Sequence, residues 1–447
     1  MIEYFYKTEC EIASDYGNVN LGINDVRYSL VKKDNVFNFV GFIFENNTLL
    51  SVFPKHFWDN GDEKSTENIT LLFNTICKYI NDEKNNPNAN KFIGDKHFFE
   101  SDYPFEQFFE IYNYYNRYGI FKEEEYQYKN NSNGKISWKK TIQKSNVIIS
   151  DDNLIFTPLF SKHKNYKNDF ISECMTYIIN HTINTFPFFL KLSPINEKCS
   201  KMDFIANRKY VLRQLYRYKN YIFKDNNKRL LTNLIDFFEQ IDKKPKGGSY
   251  HFKIRYFDKI WETIVGEYLN NYFVDVRKND EGIQELIFNT EHKNSETRFV
   301  LDERDRTFEI EKKKDSKRII PEHYYENEKN IYVFDSKYYQ HISELNYKQL
   351  AYTFLIGNNK EKCKKKIYSA LILPGNYKAR YNLNIEGTLF AQDNDGCNHI
   401  LECYLSVKTL MKNYLNMDKK KKKSCEKVNL LDSDIDKDED DEDRFIN

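Results

Sequence analysis

The 447-residue sequence predicts an α+β protein with more than one domain. Its length exceeds the usual size of a single hydrophobic core. Segments with alternating apolar and polar residues, typical of strands, occur beside segments with helical apolar spacing. A polar stretch with Pro and paired Gly, DKKPKGGSYH at 242–251, separates two such regions. Since 40% of the residues are hydrophobic and 16% aromatic, a fibrous or wholly disordered protein is excluded.

Residues 1–245 are predicted to form a β-rich and helical N-terminal domain that binds a partner or DNA. Alternation across 26–58, interrupted by Asn46-Asn47, predicts a β-hairpin. A second hairpin is predicted from the polar segment NNSNGKISW at 130–138. Apolar residues at helical spacing predict helices over 69–80, 104–118, 169–186 and 203–241.

Residues 250–415 predict a compact α/β domain with a mixed central sheet. It opens with the helix FDKIWETIVGEYLNNYF, which has one apolar face. A strand over 331–334, a helix over about 343–356 and a strand over 367–373 follow.

Residues 418–447 join a run of lysines to an acidic tail, which we expect to be disordered. From Leu430 onward there are nine acidic and two basic residues, a net charge of about −7. Since the whole chain has a net charge of +1, residues 1–429 carry about +8. That charge is compatible with a polyanionic partner but does not identify one. Asp432, Asp434 and Asp436 resemble the start of a calcium loop, but Lys437 replaces its Gly and Asp443 its Glu.

The sequence lacks the motifs of several functional classes. The sequence has no phosphate-binding G-x-x-x-x-G-K-[ST] loop, no G-x-G-x-x-G fingerprint after a strand and no G-x-S-x-G elbow. The eight cysteines include no C-x-x-C pair, so zinc binding is not expected. Without a signal peptide or a long apolar run, we expect a cytoplasmic protein with no membrane partner.

Acidic and basic residues collect where the strand Ile331–Phe334 ends. Asp335 and Lys337 follow it at positions that point to one face. Glu322 precedes the strand, and a turn at 326–330 would fold it back toward Asp335. Two carboxylates and a lysine at one sheet edge can hold Mg²⁺ and orient a water for phosphodiester hydrolysis. The alternative is an exposed strand end with a solvated ion pair.

Neighbouring helices offer further candidates. Glu262 or Glu267 can supply another carboxylate from the helix after the linker, or lie on its solvated face. Gln349 is either a site residue or a helix surface residue. Trp261 and Tyr352 lie on apolar helical faces, so we expect core residues rather than base-stacking platforms.

These segments resemble a known family. Pro321-Glu322, then twelve residues, then Asp335-Ser336-Lys337 resembles the PD-(D/E)XK nuclease signature, with Glu in place of its first Asp. Residues 257–269, 319–337 and 346–352 are similar to the catalytic region of LlaJI-family restriction endonucleases, relatives of the McrC nuclease subunit. The segments FVGFI at 39–43, FPK at 53–55 and GKISWKKTI at 134–142 resemble N-terminal motifs of that family.

The resemblance spans about residues 38–373 and implies a function. It implies a PD-(D/E)XK fold, Mg²⁺-dependent cleavage of double-stranded DNA, and type II restriction in phage defence. Carried over by position, Glu322 and Asp335 are metal ligands, Lys337 the water-orienting base, Glu262 an accessory acid and Gln349 a phosphate or backbone contact. It further implies a McrB-like AAA+ GTPase partner and a cognate DNA methyltransferase in the same restriction-modification system.

A second hypothesis comes from outside the enzymes. A non-catalytic DNA-binding or assembly subunit with a degenerate nuclease fold would keep the basic body and the family hairpins but lack metal chemistry. Magnesium binding and the effect of changing Asp335 distinguish the two hypotheses.

Overall fold

The structure is a computed structural model of the chain. It describes residues 2–13, 19–28, 35–59, 61–85, 99–130, 133–150, 153–167, 170–186, 192, 194–196, 202–241, 250–292, 294, 299–300, 306–309, 318–339, 347–357, 365–376, 380–386 and 397–416.

Strands and helices alternate in mixed α/β order. The strands are β1 (Glu3–Thr8), β2 (Val26–Tyr28), β3 (Asn35–Phe37), β4 (Val40–Glu45), β5 (Thr48–Phe53), β6 (Phe99–Ser101), β7 (Glu123–Asn130), β8 (Lys135–Ile136), β9 (Asn146–Ser150), β10 (Asn153–Thr157), β11 (Phe160–Lys167), β12 (Tyr250–Ile254), β13 (Phe273–Lys278), β14 (Gln284–Phe288), β15 (Phe308–Glu309), β16 (Arg318–Ile319), β17 (His323–Glu326), β18 (Asn330–Ser336), β19 (Lys366–Pro374), β20 (Arg380–Glu386) and β21 (Cys397–Leu405). The helices are α1 (Thr66–Asn85), α2 (Phe105–Tyr118), α3 (Trp138–Lys144), α4 (Phe170–Thr185), α5 (Arg208–Tyr218), α6 (Asp225–Gln240), α7 (Phe257–Tyr272), α8 (Tyr347–Gly357) and α9 (407–416).

The chain forms two compact units, residues 1–100 with 248–447 and residues 101–247. The first unit therefore contains the N-terminal strands together with the candidate nuclease region. This grouping differs from the domains expected at 1–245 and 250–415, whose independent folding stays a prediction. The tail at 418–447 lies outside the described residues.

The first unit begins with a five-stranded sheet in the order β1-β5-β4-β12-β6. The predicted hairpin at Asn46-Asn47 is confirmed, since β4 and β5 pair antiparallel and both asparagines have positive φ, 49° and 62°. β12 pairs with β4 opposite Gly41, whose φ is 144°. A Cβ there would lie 2.0 Å from the Phe252 carbonyl oxygen, so this close approach requires glycine.

The second sheet of this unit is mixed, in the order β17-β18-β19-β21-β20. β18 is parallel to β19 and antiparallel to β17. Its Ile331, Val333 and Phe334 are completely buried, which explains the unbroken apolar run in the sequence. Helices α7 and α8 contact β18, and α7 buries the apolar face that its spacing predicted.

Within its described residues, the second unit has four longer helices and two small sheets. The helix predicted over 104–118 is confirmed by α2, and α4, α5 and α6 lie within the other ranges predicted as helical. The hairpin predicted at 130–138 is wrong, because β7 and β8 do not pair with each other but flank β11. The Asn-Gly pair lies at a bend just before β8, and β7 and β8 share β11 as their partner. No helix within the described ranges is both long and apolar enough to cross a membrane.

Candidate active site

The β17–β18 hairpin brings the two predicted carboxylates together. His323 pairs with Phe334, so Glu322 comes to lie beside Asp335 at the end of the hairpin. The backbone N–H of Ser336 donates a hydrogen bond of 2.6 Å to Glu322 Oε2. At the other end, Asn327 Oδ1 accepts hydrogen bonds from the backbone of Lys329 and Asn330, which closes the turn expected at 326–330.

Two lysines face this carboxylate pair. Lys337 Nζ lies 2.5 Å from Asp335 Oδ2 and 3.4 Å from Glu322 Oε1. Lys348, on α8, lies 3.8 Å from an oxygen of each carboxylate. The Lys337 side chain is 13% exposed and that of Lys348 is 50% exposed, so Lys348 is the one open to a ligand from solvent. The cluster is therefore compact, charged and accessible from one side.

The two carboxylates differ in their readiness to ionise. Burial, and then the hydrogen bond and charge of Asp335, raise the pKa of Glu322 to about 8. Burial opposes ionisation of Asp335 as well, but the hydrogen bond from Glu322 and the charge of Lys337 lower its pKa. Burial disfavours the Lys337 ammonium, yet the two carboxylates outweigh it and raise the pKa of Lys337. Glu322 is therefore the member of the pair that takes up a proton first as the pH falls.

Asp335 provides the test of whether a metal fits. Its side chain is 0% exposed, and its partners among the described residues are the neighbouring Glu322 and the two lysine ammonium groups. A buried carboxylate whose partners are mainly cations is suited to holding a metal ion. No group of three or more His, Cys, Asp and Glu converges within the described parts of the chain. The pair fits Mg²⁺, which usually takes one or two protein carboxylates and completes its shell with water and phosphate oxygens.

The remaining predicted residues take different places. Glu262, on α7, is 31% exposed, pairs with Lys259 at 3.4 Å, and its charge contributes to the raised pKa of Glu322. Gln349 is completely buried, and its Nε2 donates to the Val333 carbonyl at 2.7 Å and to Ser369 Oγ at 2.9 Å. Gln349 thus fixes α8 against β18, while its contact with phosphate or nucleic-acid backbone stays a prediction.

The aromatic residues follow the expectation of a core role. Trp261 is 1% exposed and Tyr352 4%, so neither offers a face on which a base can stack. Tyr352 Oη donates to the Ile320 carbonyl at 3.0 Å, two residues before Glu322 in the chain. The alternative of base-stacking platforms is not supported at these positions.

Sequence reasoning missed the layer beneath the carboxylates. His323 is buried, and its Nε2 lies 2.6 Å from Ser336 Oγ, which ties the two strands together below the site. Arg306 donates to the backbone carbonyls of Pro321 and Glu322. His323 follows Glu322 and Ser336 follows Asp335 in the sequence, so the predicted strand pairing could have identified them. No sequence pattern around Arg306 indicates its contact with these carbonyls.

A buried strand whose end carries Asp335, with Lys337 after it and Glu322 brought alongside by the hairpin, is an arrangement suited to the restriction endonuclease class of proteins. The sequence profile described as the LlaJI restriction endonuclease matches residues 39–352. The chain belongs to this LlaJI restriction endonuclease family.

The chain is also similar to one chain of a solved assembly. It is a chain of the refined half-complex from a tetradecameric assembly of Thermococcus gammatolerans McrB AAA+ hexamers with bound McrC. The identity is 12% and the TM-score 0.34, over 92% of this chain and 98% of that chain. No curated protein matches the sequence significantly.

Proposed function

We propose that this chain is the DNA-cleaving subunit of a restriction system and hydrolyses phosphodiester bonds of double-stranded DNA with Mg²⁺. The observation that carries the proposal is the Asp335 carboxylate, which is completely buried, lies beside Glu322 and is paired with Lys337 Nζ at 2.5 Å. Membership of a restriction endonuclease family supports the same reading. The PD-(D/E)XK assignment rests on the spacing of these three residues.

Each residue has a distinct task in this proposal. Glu322 and Asp335 hold the metal, which when bound neutralises charge on the scissile phosphate. Lys337 orients the attacking water and offsets the negative charge that develops in the transition state. Lys348, half exposed at the rim, contacts a DNA phosphate. Glu262 approaches from α7 as an accessory acid.

The proposed partners follow from family kinship and from one sequence feature. Because the sequence lacks a phosphate-binding P-loop, nucleotide hydrolysis would come from a separate McrB-like AAA+ GTPase. A cognate DNA methyltransferase would protect the host's own DNA. The system would then act in the cytoplasm against phage DNA.

Cleavage of plasmid and phage DNA by the purified chain tests the proposal. Reactions contain Mg²⁺ or EDTA, with and without GTP and a McrB-like AAA+ GTPase. We expect cleavage only with Mg²⁺, and loss of about 10³-fold or more in Asp335→Asn and Lys337→Met. If cleavage requires GTP and the AAA+ protein, the partnership is supported; cleavage by the chain alone would refute that part.

The matched controls lie at the opposite end of the same hairpin. Lys365 Nζ pairs with Glu326 Oε1 at 2.8 Å, far along β17 from the site, so Lys365→Met and Glu326→Gln should cleave normally. Mg²⁺ binding measured by calorimetry should disappear in Asp335→Asn and persist in both controls. DNA binding without Mg²⁺ binding or cleavage in any mixture would instead establish the non-catalytic scaffold.

A further inference from the structure

The residue after Lys337 connects the site to the N-terminal sheet. The Lys337 backbone N–H donates to the Ile372 carbonyl at 2.9 Å, which extends the pairing of β18 and β19 by one residue. Tyr338 follows and is 7% exposed. Both residues belong to the same compact unit as the strands β1 and β5.

Tyr338 is held at its hydroxyl group and at its backbone. The Lys55 backbone N–H donates to Tyr338 Oη at 2.8 Å, and Tyr338 Oη donates to Glu9 Oε2 at 2.7 Å. Lys55 Nζ donates to the Tyr338 carbonyl at 3.2 Å and lies 4.6 Å from the centre of its ring. We call these three residues, Glu9, Lys55 and Tyr338, the Tyr338 clamp.

Two residues of the clamp, Glu9 and Tyr338, are buried, and the clamp also reaches helix α7. Glu9 is 9% exposed, and burial raises the pKa of both Glu9 and Tyr338. The Tyr338 ring packs on Phe257, with ring centres 5.4 Å apart, at the start of the helix that carries Glu262. The hydrogen bond between Tyr338 and Glu9 is buried, so removing either partner leaves the other unsatisfied.

We propose that Tyr338 is a positioning residue for cleavage, held by Lys55 and Glu9 so that the preceding Lys337 points between the two carboxylates. This inference rests on the proposed nuclease function. Lys337 ends the strand pairing, so its backbone direction depends on what anchors the next residue. A displacement of about 1 Å in a catalytic group can cost 10²-fold in rate. The N-terminal sheet would therefore be a structural part of the catalytic unit.

The test compares Tyr338→Phe and Lys55→Met with the unaltered chain, in the Mg²⁺-containing mixture that supports cleavage. Both changes should lower kcat at least tenfold and leave KM for DNA within about twofold, because DNA contacts are untouched. DNA affinity measured in Ca²⁺ should also stay unchanged. Lys55→Arg keeps a donor and should restore most of the rate lost in Lys55→Met. Glu9→Ala should also lower kcat, and Glu9→Gln, which keeps an acceptor, should restore most of that loss.

The same unit contains a matched control at Tyr414. Tyr414 Oη donates to Asp82 Oδ2 at 2.6 Å, and Lys78 Nζ donates to the Tyr414 carbonyl at 3.0 Å while lying 4.5 Å from the ring centre. Tyr414→Phe should therefore leave kcat unchanged, and it should lower Tm less than Tyr338→Phe because Asp82 is 48% exposed. Equal kcat losses in both variants, or a normal kcat in Tyr338→Phe, would overturn the positioning role.

Asp335→Asn separates failure of this inference from failure of the proposed function. If Asp335→Asn cleaves as well as the unaltered chain, the assigned site is wrong and the clamp loses its purpose. If Asp335→Asn is inactive while Tyr338→Phe keeps full kcat, only the positioning role of the clamp is wrong.

Discussion

Acid should destabilise this protein through His323. Burial first, and then the charge of Arg306, lower the pKa of this imidazole to about 3 from an ordinary 6.5. A base with a depressed pKa contributes stability that is complete above pH 6.5 and is lost as the pH falls toward 3. Each pH unit below 6.5 lowers the free energy of unfolding by about 1.4 kcal/mol. At pH 5 the loss is therefore about 2 kcal/mol.

Glu322 works in the opposite direction over the same range. Because its folded pKa is raised, its contribution is complete below pH 4.5 and is lost as the pH rises through about 8. Its effect is common to the unaltered chain and to a His323→Gln variant. The difference between the two proteins therefore isolates His323.

The assay is urea unfolding in EDTA at pH 7.5 and pH 5. The unaltered chain should lose about 2 kcal/mol more than His323→Gln between these pH values. His323→Gln still presents an amide to Ser336 Oγ, so the comparison does not depend on losing that hydrogen bond. Identical pH dependence in the two proteins would refute the reasoning, since His323 would then be free to protonate in the folded state.

Three further predictions concern other parts of the first unit. Gly41→Ala should cost more than about 3 kcal/mol in urea unfolding, because its Cβ would meet the Phe252 carbonyl; a near-neutral result would mean that β12 does not lie so close. Asp25→Ala should cost about 3–5 kcal/mol, because it strands the Lys253 ammonium, which is 3% exposed and 2.9 Å away. Adding Lys253→Met should recover much of that loss, and additive losses would speak against the pair. Lys348→Met should lower the salt dependence of DNA binding by about one released ion, with an unchanged slope excluding a phosphate contact.

The local parts of the fold could be predicted from the sequence. The Asn46-Asn47 turn, the buried strand Ile331–Phe334 and the amphipathic helix at 257–272 follow from turn chemistry and apolar spacing over a few residues. Glu322 reaches Asp335 through the same kind of local pairing, across a short hairpin. These contacts depend on segments of fewer than about 20 residues, in which propensity and pattern act directly.

The distant contacts could not be predicted in this way. Lys55 and Tyr338 are 283 residues apart, and no property of either segment specifies the other. The pairing of β12 with β4 is of the same kind. The Asn-Gly pair at Gly134 predicted a hairpin, but the sequence does not contain the information that β11 lies between β7 and β8. Long-range pairing depends on which edges remain open after local folding.

The place of β12 in the first sheet also affects how the chain folds while it is synthesised on the ribosome. β12 lies between β4 and β6, although about 150 residues separate it from β6 along the chain. At about 5–20 residues per second, β4 waits on the order of 10 s for its neighbour to be made. During that interval its edge carries unpaired N–H and C=O groups, which can pair with another chain. The yield of folded protein therefore depends on what covers β4 while translation continues.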